Sequence, residues 1–339
     1  MLPFTTTRLR LRAFEPADAP TFAAYRSDPD VARYQGWDTP YTLAAAQRFI
    51  AGMAEMTGPV PGEWVQIAVD HDGALVGDVA VGLSADGRIA TIGYTLAADA
   101  QGRGLASEAV GAVVDRLFGE RGVHRVEASL DPRNLASARL VESLGFEREG
   151  VAVDAVWTAT DGWTDDARYG LTRDQHVAWS TRPRARPVDV RLVEIRPDTV
   201  RGVLALRTHP NQERFVGPMA NSFAVALFPR VRDGAPLVPW MRAIEADGEL
   251  VGFVMLAARR PHHRESYLWR LLVDRRHQRR GIGDRVLTLL TERLRNEGDT
   301  TLLVSWLPGR GGPGPFYLAR GFVPTGVVEE GEIEARLTL

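Results

Sequence analysis

One motif occurs twice in this chain, and each copy is followed by the same kind of turn at nearly the same distance. The copies are TLAADAQGRGLA at residues 95–106 and LLVDRRHQRRGIG at residues 271–283. Gln101 precedes Gly145 of a Leu-Gly-Phe turn by 44 positions, and Gln278 precedes Gly321 of an Arg-Gly-Phe turn by 43. Two matches with the same downstream spacing predict a tandem repeat of one domain.

The length of the chain agrees with two domains. At 339 residues the chain exceeds one typical core and suits two domains of roughly 150–200 residues. Residues 180–187, STRPRARP, are rich in Pro and Arg and have no apolar periodicity, which is typical of a linker. We therefore predict a first domain at residues 1–180, a linker at 181–188 and a second domain at 189–339.

Composition excludes several classes of chemistry. The chain has no cysteine, and all 41 of its basic residues are arginine, so thiolate metal sites, a cysteine nucleophile and a Walker-type lysine loop are excluded. His262 and His263 are the only adjacent histidines, and a lone histidine pair rarely makes a site, so we predict no metal site. A net charge of -2 favours neither nucleic acid nor a membrane as partner, and without a signal region or membrane span we expect a cytoplasmic protein.

The hydrophobic periodicity predicts the same order of elements in both halves. In the first half it predicts helices at 16–27, 43–53, 105–117 and 134–144 and strands at 64–69, 74–83, 88–96 and 123–130. In the second half it predicts strands at 240–246, 250–257, 266–273 and 301–306 and a helix from Ile282 to Leu294. This pattern indicates an α/β or α+β domain, with a mixed, mostly antiparallel sheet flanked by helices.

The glycine-rich loop after the motif strand suits a phosphate group. Glycines let the backbone turn close to a ligand without a Cβ clash, and the following helix directs free N–H groups and its positive dipole end at that ligand. A pyrophosphate fits such a site. Arg103, Arg279 and Arg280 add guanidinium groups that suit phosphate. The alternatives are a plain strand–helix turn and solvated surface arginines.

The whole pattern of strand, Gln-x-x-Gly-x-small loop, amphipathic helix, strand and Gly-Phe turn resembles the GNAT superfamily of N-acetyltransferases, twice over. The resemblance implies tandem GNAT domains that bind acetyl-CoA, with pantetheine between the motif strand and the next and a bulge at the end of the motif strand. It assigns cofactor binding to Leu96, Gln101, Gly102, Arg103, Gly104, Leu105, Ala106, Leu272, Val273, Gln278, Arg279, Arg280, Gly281, Ile282 and Gly283. Among these residues, Leu96 and Leu272 are expected beside the acetyl group.

The first half is similar to enzymes that acetylate the N-termini of ribosomal proteins, through the sequence DPRNLASARL at residues 131–140 before Gly145-Phe146. This similarity implies that Asn134 contacts pantetheine and that Ser137 is a general acid. A helix N-cap is the alternative role for Asn134, and an idle helical serine is the alternative for Ser137.

The second half resembles bacterial spermine/spermidine acetyltransferases, through segments 212–216, 221–224, 267–270 and 316–322. Tyr317, four residues before Gly321, is then expected to be the general acid, since a phenol can donate a proton to the departing thiolate. A packing aromatic is the alternative. Val141 occupies the matching position in the first half, and Pro313 occupies the position of Ser137. Residues 308–315, PGRGGPGP, replace the usual asparagine-bearing helix start and are expected to form a flexible loop.

These observations predict an N-acetyltransferase in which a primary amine attacks acetyl-CoA directly within a ternary complex, with the second domain as the catalyst. The acceptor is a small amine or a peptide N-terminus. Two alternatives stay open. In one, the first domain is the active one and acts on protein N-termini; in the other, the chain is a non-catalytic CoA-binding regulator or scaffold. The sequence does not determine the acceptor, the acyl chain length or the oligomeric state.

Overall fold

The structure is a computed structural model that describes residues 1–158, 161–229, 231–232, 235–258 and 265–339. The chain divides into two compact units, Met1–Thr181 and Arg182–Leu339. His262 and His263 lie outside the described residues. Within the described ranges, no helix has the length and apolar character needed to cross a membrane.

The first unit is built on a single mixed sheet. Its strands are β1 (Phe4–Thr5), β2 (Arg10–Arg12), β3 (Trp64–His71), β4 (Ala74–Leu83), β5 (Ile89–Leu96), β6 (Arg125–Leu130), β7 (Glu147–Thr158) and β8 (Gly162–Thr172). Its helices are α1 (Ala19–Ser27), α2 (Pro29–Ala32), α3 (Leu43–Met53), α4 (Leu105–Gly119), α5 (Leu135–Ser143) and α6 (Arg173–Ser180). The strand order is β1-β2-β3-β4-β5-β6-β8-β7.

The only parallel pair that the structure describes in this sheet is β5 with β6, and it opens partway along its length. Ile89–Ile92 pair with Arg125–Ala128, while β5 continues to Leu96 without a partner on β6. The two strands therefore leave a V-shaped gap that faces the loop after β5. Helices α4 and α5 pack on one face of the sheet through buried residues such as Leu117 and Val141, and α1 and α3 pack on the other face.

The second unit repeats this plan. Its strands are β9 (Val190–Val193), β10 (Val231–Arg232), β11 (Ala235–Pro236), β12 (Pro239–Ala246), β13 (Glu249–Ala257), β14 (Ser266–Val273), β15 (Thr301–Trp306), β16 (Val323–Glu329) and β17 (Glu332–Thr338). Its helices are α7 (Val200–Ala205), α8 (Met219–Leu227), α9 (Ile282–Asn296) and α10 (Gly314–Leu318). The main sheet has the order β16-β17-β15-β14-β13-β12-β9, and β10 pairs with β11.

The parallel pair of the second sheet opens in the same way. Ser266–Leu268 of β14 pair with Leu302–Val304 of β15, after which the strands separate. Val286, Leu290 and Leu294 of α9 pack on one face of the sheet. Helices α7 and α8 cover the other face. Two mixed sheets with flanking helices confirm the predicted fold class.

The expected bulge in the motif strand is present in one unit only. The pairing of β13 with β14 shifts register between Met255 and Leu256, so that Trp269 has no direct partner on β13. In the first unit, β4 pairs with β5 without interruption from Gly77–Leu96 to Leu83–Ala90. The expectation of a bulge is therefore wrong for that pair, because each residue of β5 in this stretch keeps one partner.

Candidate functional site

Each glycine-rich loop ends at a helix whose first turn is not capped by a side chain. Gly104 and Gly281 are the residues before α4 and α9, and both have a φ of 78°. The first helical residues, Leu105 and Ile282, bury their side chains in the core, which fixes the helix start while leaving its backbone N–H groups at the surface. Uncapped N–H groups at the positive end of a helix form a ready anion site.

The motif glutamines hold the loop against the strand that precedes it. The side-chain amide of Gln101 donates to the carbonyl of Leu96 at 3.1 Å, and the amide of Gln278 donates to the carbonyl of Val273 at the same distance. In both units the hydrogen bond closes a five-residue loop. The glutamines therefore set the shape of the loop.

The two loops differ at the residue after the glutamine. Gly102 has a φ of 72°, and Arg279, at the matching position, has a φ of 63°. Both residues are in the left-handed region, which glycine adopts freely and which strains an arginine. The second unit therefore accepts backbone strain in order to keep a guanidinium at the loop.

Arg280 does not direct its guanidinium at the loop, contrary to the expectation that all three motif arginines face phosphate. Its side chain is buried, its Nε donates to the carbonyl of Ala185 at 2.8 Å, and its Nη1 donates to Nδ1 of His277 at 2.9 Å. The correction has a physical reason, because two internal acceptors and the carboxylate of Asp247, 3.8 Å away, hold the buried guanidinium within the unit. Arg103 and Arg279 are exposed.

Sequence reasoning missed an arginine beside the first loop. The guanidinium of Arg8 binds Oε2 of Glu108 at 2.6 Å and donates to the carbonyl of Arg103 at 2.9 Å. Its Nη2 lies 3.5 Å from the point where a Cβ on Gly104 would stand. Arg8 and Glu108 are 100 positions apart, so no local pattern could have revealed this contact.

The last residues of β5 and β14 can be matched through their partners on β4 and β13. Leu96 pairs with Gly77 and Val273 pairs with Gly252, so Val273 is the counterpart of Leu96. Leu272 packs with the α7–α8 face of its sheet, whereas Leu96 packs with the α4 face. Adjacent residues of a strand point to opposite faces, so Leu96 and Leu272 do not occupy equivalent positions, and their placement beside the acetyl group stays a prediction.

The gap between β5 and β6 contains a hydroxyl pair. The hydroxyl of Tyr94 lies 2.6 Å from Oγ of Ser137 and donates to the Ser137 carbonyl at 3.1 Å. Burial raises the pKa of Tyr94, against the opposite effect of its hydrogen bond to Ser137. Oδ1 of Asn134 accepts from the Ser137 amide at 3.1 Å and caps α5. These three residues line one pocket, and Tyr94 is the member that sequence reasoning missed.

Tyr317 packs beside the last residue of β15. Its ring stacks on Trp306, the last residue of β15, with centroids 5.7 Å apart, and it also contacts Phe316 and Phe322. A Cβ on Gly283, in the loop helix, would lie 3.0 Å from Phe316, so α10 packs directly beside the loop. Burial raises the pKa of Tyr317, which keeps the phenol protonated.

The Gly-Pro segment before α10 is held in position by side chains from another part of the unit. Arg214 Nη2 donates to the carbonyl of Arg310 at 2.9 Å, and the ring of Phe215 lies against Gly309 and Gly312. A Cβ on Gly314 would come within 2.6 Å of Trp306. The glycines thus permit close packing at the start of α10, which the expectation of a flexible loop did not anticipate.

Comparison with known proteins decides the family. The Acetyltransferase (GNAT) domain matches residues 8–147, and the Acetyltransferase (GNAT) family matches residues 204–311. The uncharacterized N-acetyltransferase p20 of Bacillus licheniformis is 34% identical over 152 residues, which are 44% of this chain and 84% of that protein. The chain belongs to the GNAT family.

Two further relatives illustrate the range of the similarity. The ribosomal protein uS5-alanine N-acetyltransferase of Escherichia coli is 37% identical over 82 residues, which are 24% of this chain and 41% of that enzyme. The crystal structure of a GNAT-family acetyltransferase from Bacillus anthracis is 25% identical, covers 51% of this chain and 99% of its own, and has a TM-score of 0.46. The two family matches and the p20 relative confirm the prediction of two GNAT domains and of an N-acetyltransferase.

GNAT enzymes use acetyl-CoA, and the described residues suit that molecule. The uncapped first turns of α4 and α9 and the nearby guanidinium groups suit its pyrophosphate. The gaps beside β5 and β14 offer unpaired strand edges along which an amide-bearing arm can bind. Both GNAT units have the uncapped helix start and the opened parallel strand pair, while the bulge in the motif strand is present only in the second unit.

Proposed function

We propose that this protein transfers an acetyl group from acetyl-CoA to a primary amine and that the second unit is the catalyst. The observation that carries the proposal is Tyr317, a buried phenol that stacks on the last residue of β15, next to Phe316, which lies against the start of α9. At the matching position of the first unit, Val141 is buried in the core, and valine has no proton to donate.

The loop residues bind and orient the cofactor. Gln278, Arg279 and the first-turn amides after Gly281 hold the pyrophosphate, and the backbone of Leu272 and Val273 orients the arm that follows. In the first unit, the corresponding roles belong to Leu96, Gln101, Gly102, Arg103, Gly104, Leu105, Ala106 and Asn134. Arg280, Ile282 and Gly283 contribute through their backbone. Acetyl-CoA supplies the thioester carbonyl that the amine attacks.

Tyr317 acts on the leaving group. Because burial raises its pKa, the phenol remains protonated at every pH at which the enzyme works. It donates a hydrogen bond to the sulfur as negative charge develops there, and a fixed donor in a dry site stabilises such charge strongly. The chain has no cysteine, so the amine attacks the thioester directly and no acetyl-cysteine forms.

The experiment compares the two loops. Gly104→Glu and Gly281→Glu each place a strained, negatively charged residue at a helix start with a φ of 78°, where it repels phosphate. We expect Gly281→Glu to abolish CoA release from acetyl-CoA with an active amine, and Gly104→Glu to leave most of it. Loss of turnover only in Gly104→Glu would move catalysis to the first unit and contradict the proposal.

A second candidate is supported by the Tyr94–Ser137 pair. Ser137 lies in the β5–β6 gap, and its hydroxyl is held 2.6 Å from that of Tyr94. The relative named above is a ribosomal-protein alanine acetyltransferase, so the corresponding acceptor is a peptide with an N-terminal amine. Acetylation of an alanine-starting peptide that survives Gly281→Glu and is lost in Ser137→Ala would support an active first unit.

A further inference from the structure

The cofactor loop of the second unit is joined to a neighbouring segment by a pair of side-chain amides. The amide of Gln278 donates to Oε1 of Gln212 at 2.9 Å, and the amide of Gln212 donates back to Oε1 of Gln278 at 3.3 Å. Gln278 also donates to the Val273 carbonyl at 3.1 Å, so both N–H groups of its amide are used. Gln212 is itself oriented, because its Oε1 accepts from the His209 amide at 3.2 Å. The matching glutamine of the first unit, Gln101, is exposed, whereas Gln278 is half-buried.

Residues 207–216, which we call the bridge segment, are joined to the same loop through their backbone. The Arg207 amide donates to Oδ2 of Asp274 at 3.1 Å, and the Arg207 carbonyl accepts from the Arg275 amide at 2.8 Å. Together with the amide pair, these hydrogen bonds connect both sides of the loop to the first half of the bridge segment. A change in the order of the loop must therefore reach the bridge segment.

The other end of the bridge segment contacts the Gly-Pro segment, residues 308–315, before α10. The guanidinium of Arg214 lies over the ring of Phe215, 4.5 Å from its centroid, and donates to the Arg310 carbonyl at 2.9 Å. The Phe215 ring is 3.0 Å from the point where a Cβ on Gly312 would stand. Because glycine leaves room for the ring, the aromatic side chain lies directly on the backbone of the Gly-Pro segment.

The Gly-Pro segment leads into the helix that carries the proposed general acid. Helix α10 begins at Gly314, where a Cβ would come within 2.6 Å of Trp306. The ring of Trp306 stacks on that of Tyr317, with centroids 5.7 Å apart. The position of the Tyr317 hydroxyl therefore depends on where the Gly-Pro segment lies against Trp306. A continuous set of contacts leads from the cofactor loop through the bridge segment to this phenol.

We propose that the bridge segment couples cofactor binding to the placement of Tyr317, and that Gln212 is the positioning residue in this coupling. CoA held at the loop restricts Gln278, and a partner bonded to a restricted side chain loses less entropy when it is ordered in turn. The bridge segment then transmits the order to the Gly-Pro segment. The inference rests on the proposed function, which has CoA at the second loop and Tyr317 at the leaving group.

The test is hydrogen–deuterium exchange of the full-length protein with and without CoA. Two peptides are followed, a loop peptide at residues 274–285 and a Gly-Pro peptide at residues 308–318. In the wild type we expect CoA to slow exchange in both, and by about fivefold or more in the Gly-Pro peptide, the lower end of typical coupling between sites. In Gln212→Ala, which leaves the bond from Gln278 to Val273 in place, the loop peptide should stay protected and the Gly-Pro peptide should lose its protection.

Three further variants make the test specific. Arg214→Ala breaks the opposite end of the bridge segment and should give the same result as Gln212→Ala. Gln212→Glu keeps an acceptor for the Gln278 amide, so the Gly-Pro peptide should regain its protection. Glu292→Ala is the control, at an exposed position of the helix that follows the loop, and both peptides should be protected as in the wild type.

The outcomes separate this inference from the proposed function. Protection of the Gly-Pro peptide that survives in Gln212→Ala would come from direct contact with CoA and would overturn the role of Gln212, as would protection of the loop peptide alone in the wild type. Protection by CoA of residues 101–108 with none in either peptide of the second unit would instead overturn the location of the cofactor. If Gln212→Ala speeds exchange throughout the unit without CoA, Gln212→Met replaces it and is held to the same expectation.

Discussion

At the scale of single residues, the loop conformation makes a prediction about stability. Arg279 has a φ of 63°, a left-handed conformation that costs a non-glycine residue roughly 1–2 kcal/mol. Arg279→Gly removes that strain but adds unfolded-state freedom worth about 0.4–1 kcal/mol. We therefore expect Arg279→Gly to raise the free energy of unfolding by about 0.5–1 kcal/mol in urea titrations, while it weakens CoA binding.

The matched control is the reverse change in the first unit. Gly102 has a φ of 72° and no atom within 4 Å of a Cβ built on it, so Gly102→Ala adds strain without a clash. It should lower the free energy of unfolding by about 1 kcal/mol. A lower stability in Arg279→Gly would show that the guanidinium makes contacts that outweigh the strain.

If Tyr317 is the general acid, removing its hydroxyl should lower the rate of catalysis, which a residue with only a packing role would not do. Tyr317→Phe keeps the ring that stacks on Trp306 and removes only the hydroxyl. We expect kcat to fall by about 10²-fold or more, as for the loss of a general acid, with the KM for acetyl-CoA nearly unchanged. Tyr41→Phe, in an aromatic cluster of the first unit, should retain activity. An unchanged kcat in Tyr317→Phe would leave the residue a packing role only.

At the scale of elements, two glycines control how the motif strand enters its loop. A Cβ on Gly252 would lie 2.4 Å from the Leu272 carbonyl, and one on Gly77 would lie 2.2 Å from the Thr95 carbonyl. Because the clash is with backbone, Gly252→Ala should cost about 2 kcal/mol or more in the free energy of unfolding and weaken CoA binding. The measurement is urea unfolding paired with CoA titration.

Gly150→Ala is the control for that prediction. Gly150 lies in β7, and a Cβ there has no neighbour within 4 Å, so alanine should be neutral or slightly stabilising. Full stability of Gly252→Ala would mean that β13 and β14 can move apart at little cost. The strand ends would then not be a rigid platform for the cofactor.

Local sequence signals predicted the elements of the sheet well and their long-range contacts poorly. The strands Ala74–Leu83, Ser266–Val273 and Thr301–Trp306 match their predicted bounds, because apolar runs define them locally and, for the first, so do the turn dipeptides Asp72-Gly73 and Asp86-Gly87. The hairpin of β7 and β8 was missed, because exposed apolar residues such as Val153 and Trp157 obscure the alternation of apolar and polar residues that is typical of a strand. The Arg8–Glu108 and Tyr94–Ser137 contacts depend on tertiary packing, which no short pattern encodes.

At the scale of the whole molecule, the repeat keeps one backbone design and varies the side chains that serve it. In both units the loop helix starts without a side-chain cap, a glutamine holds the loop against the preceding strand, and the two parallel strands separate partway along their length. The first unit has the hydroxyl pair of Tyr94 and Ser137, whereas the second unit has the phenol of Tyr317. The fourth residue of the loop helix is Glu108 in the first unit and Arg285 in the second. The two units of this GNAT protein are therefore expected to differ in acceptor chemistry and in cofactor affinity, and neither is a simple copy of the other.

The stability of the second unit should depend on pH. Burial, aided by nearby arginines, lowers the pKa of His209 to about 4, and burial also lowers the pKa of His277. Both rings are neutral in the folded unit, while an unfolded histidine titrates near 6.5. The unfolded chain then binds more protons below that pH, so their contribution to stability is complete above about pH 6.5 and falls as the pH is lowered toward 4.

Protonation of His277 should affect the cofactor loop as well as the stability of the unit. Its Nδ1 accepts a hydrogen bond from Arg280, and an imidazolium cannot accept, so protonation removes one of the contacts that hold Arg280 against Ala185. We expect the urea midpoint to fall as the pH is lowered below about 6.5, and CoA affinity to fall only at the lower pH at which the folded ring is protonated. His277→Gln keeps an acceptor for Arg280 and should flatten both slopes, while wild-type values at pH 7 to 8 should be constant. An unaltered dependence of CoA affinity on pH in His277→Gln would show that this histidine does not act on the cofactor loop and that other titrating groups of the unit cause the acid sensitivity.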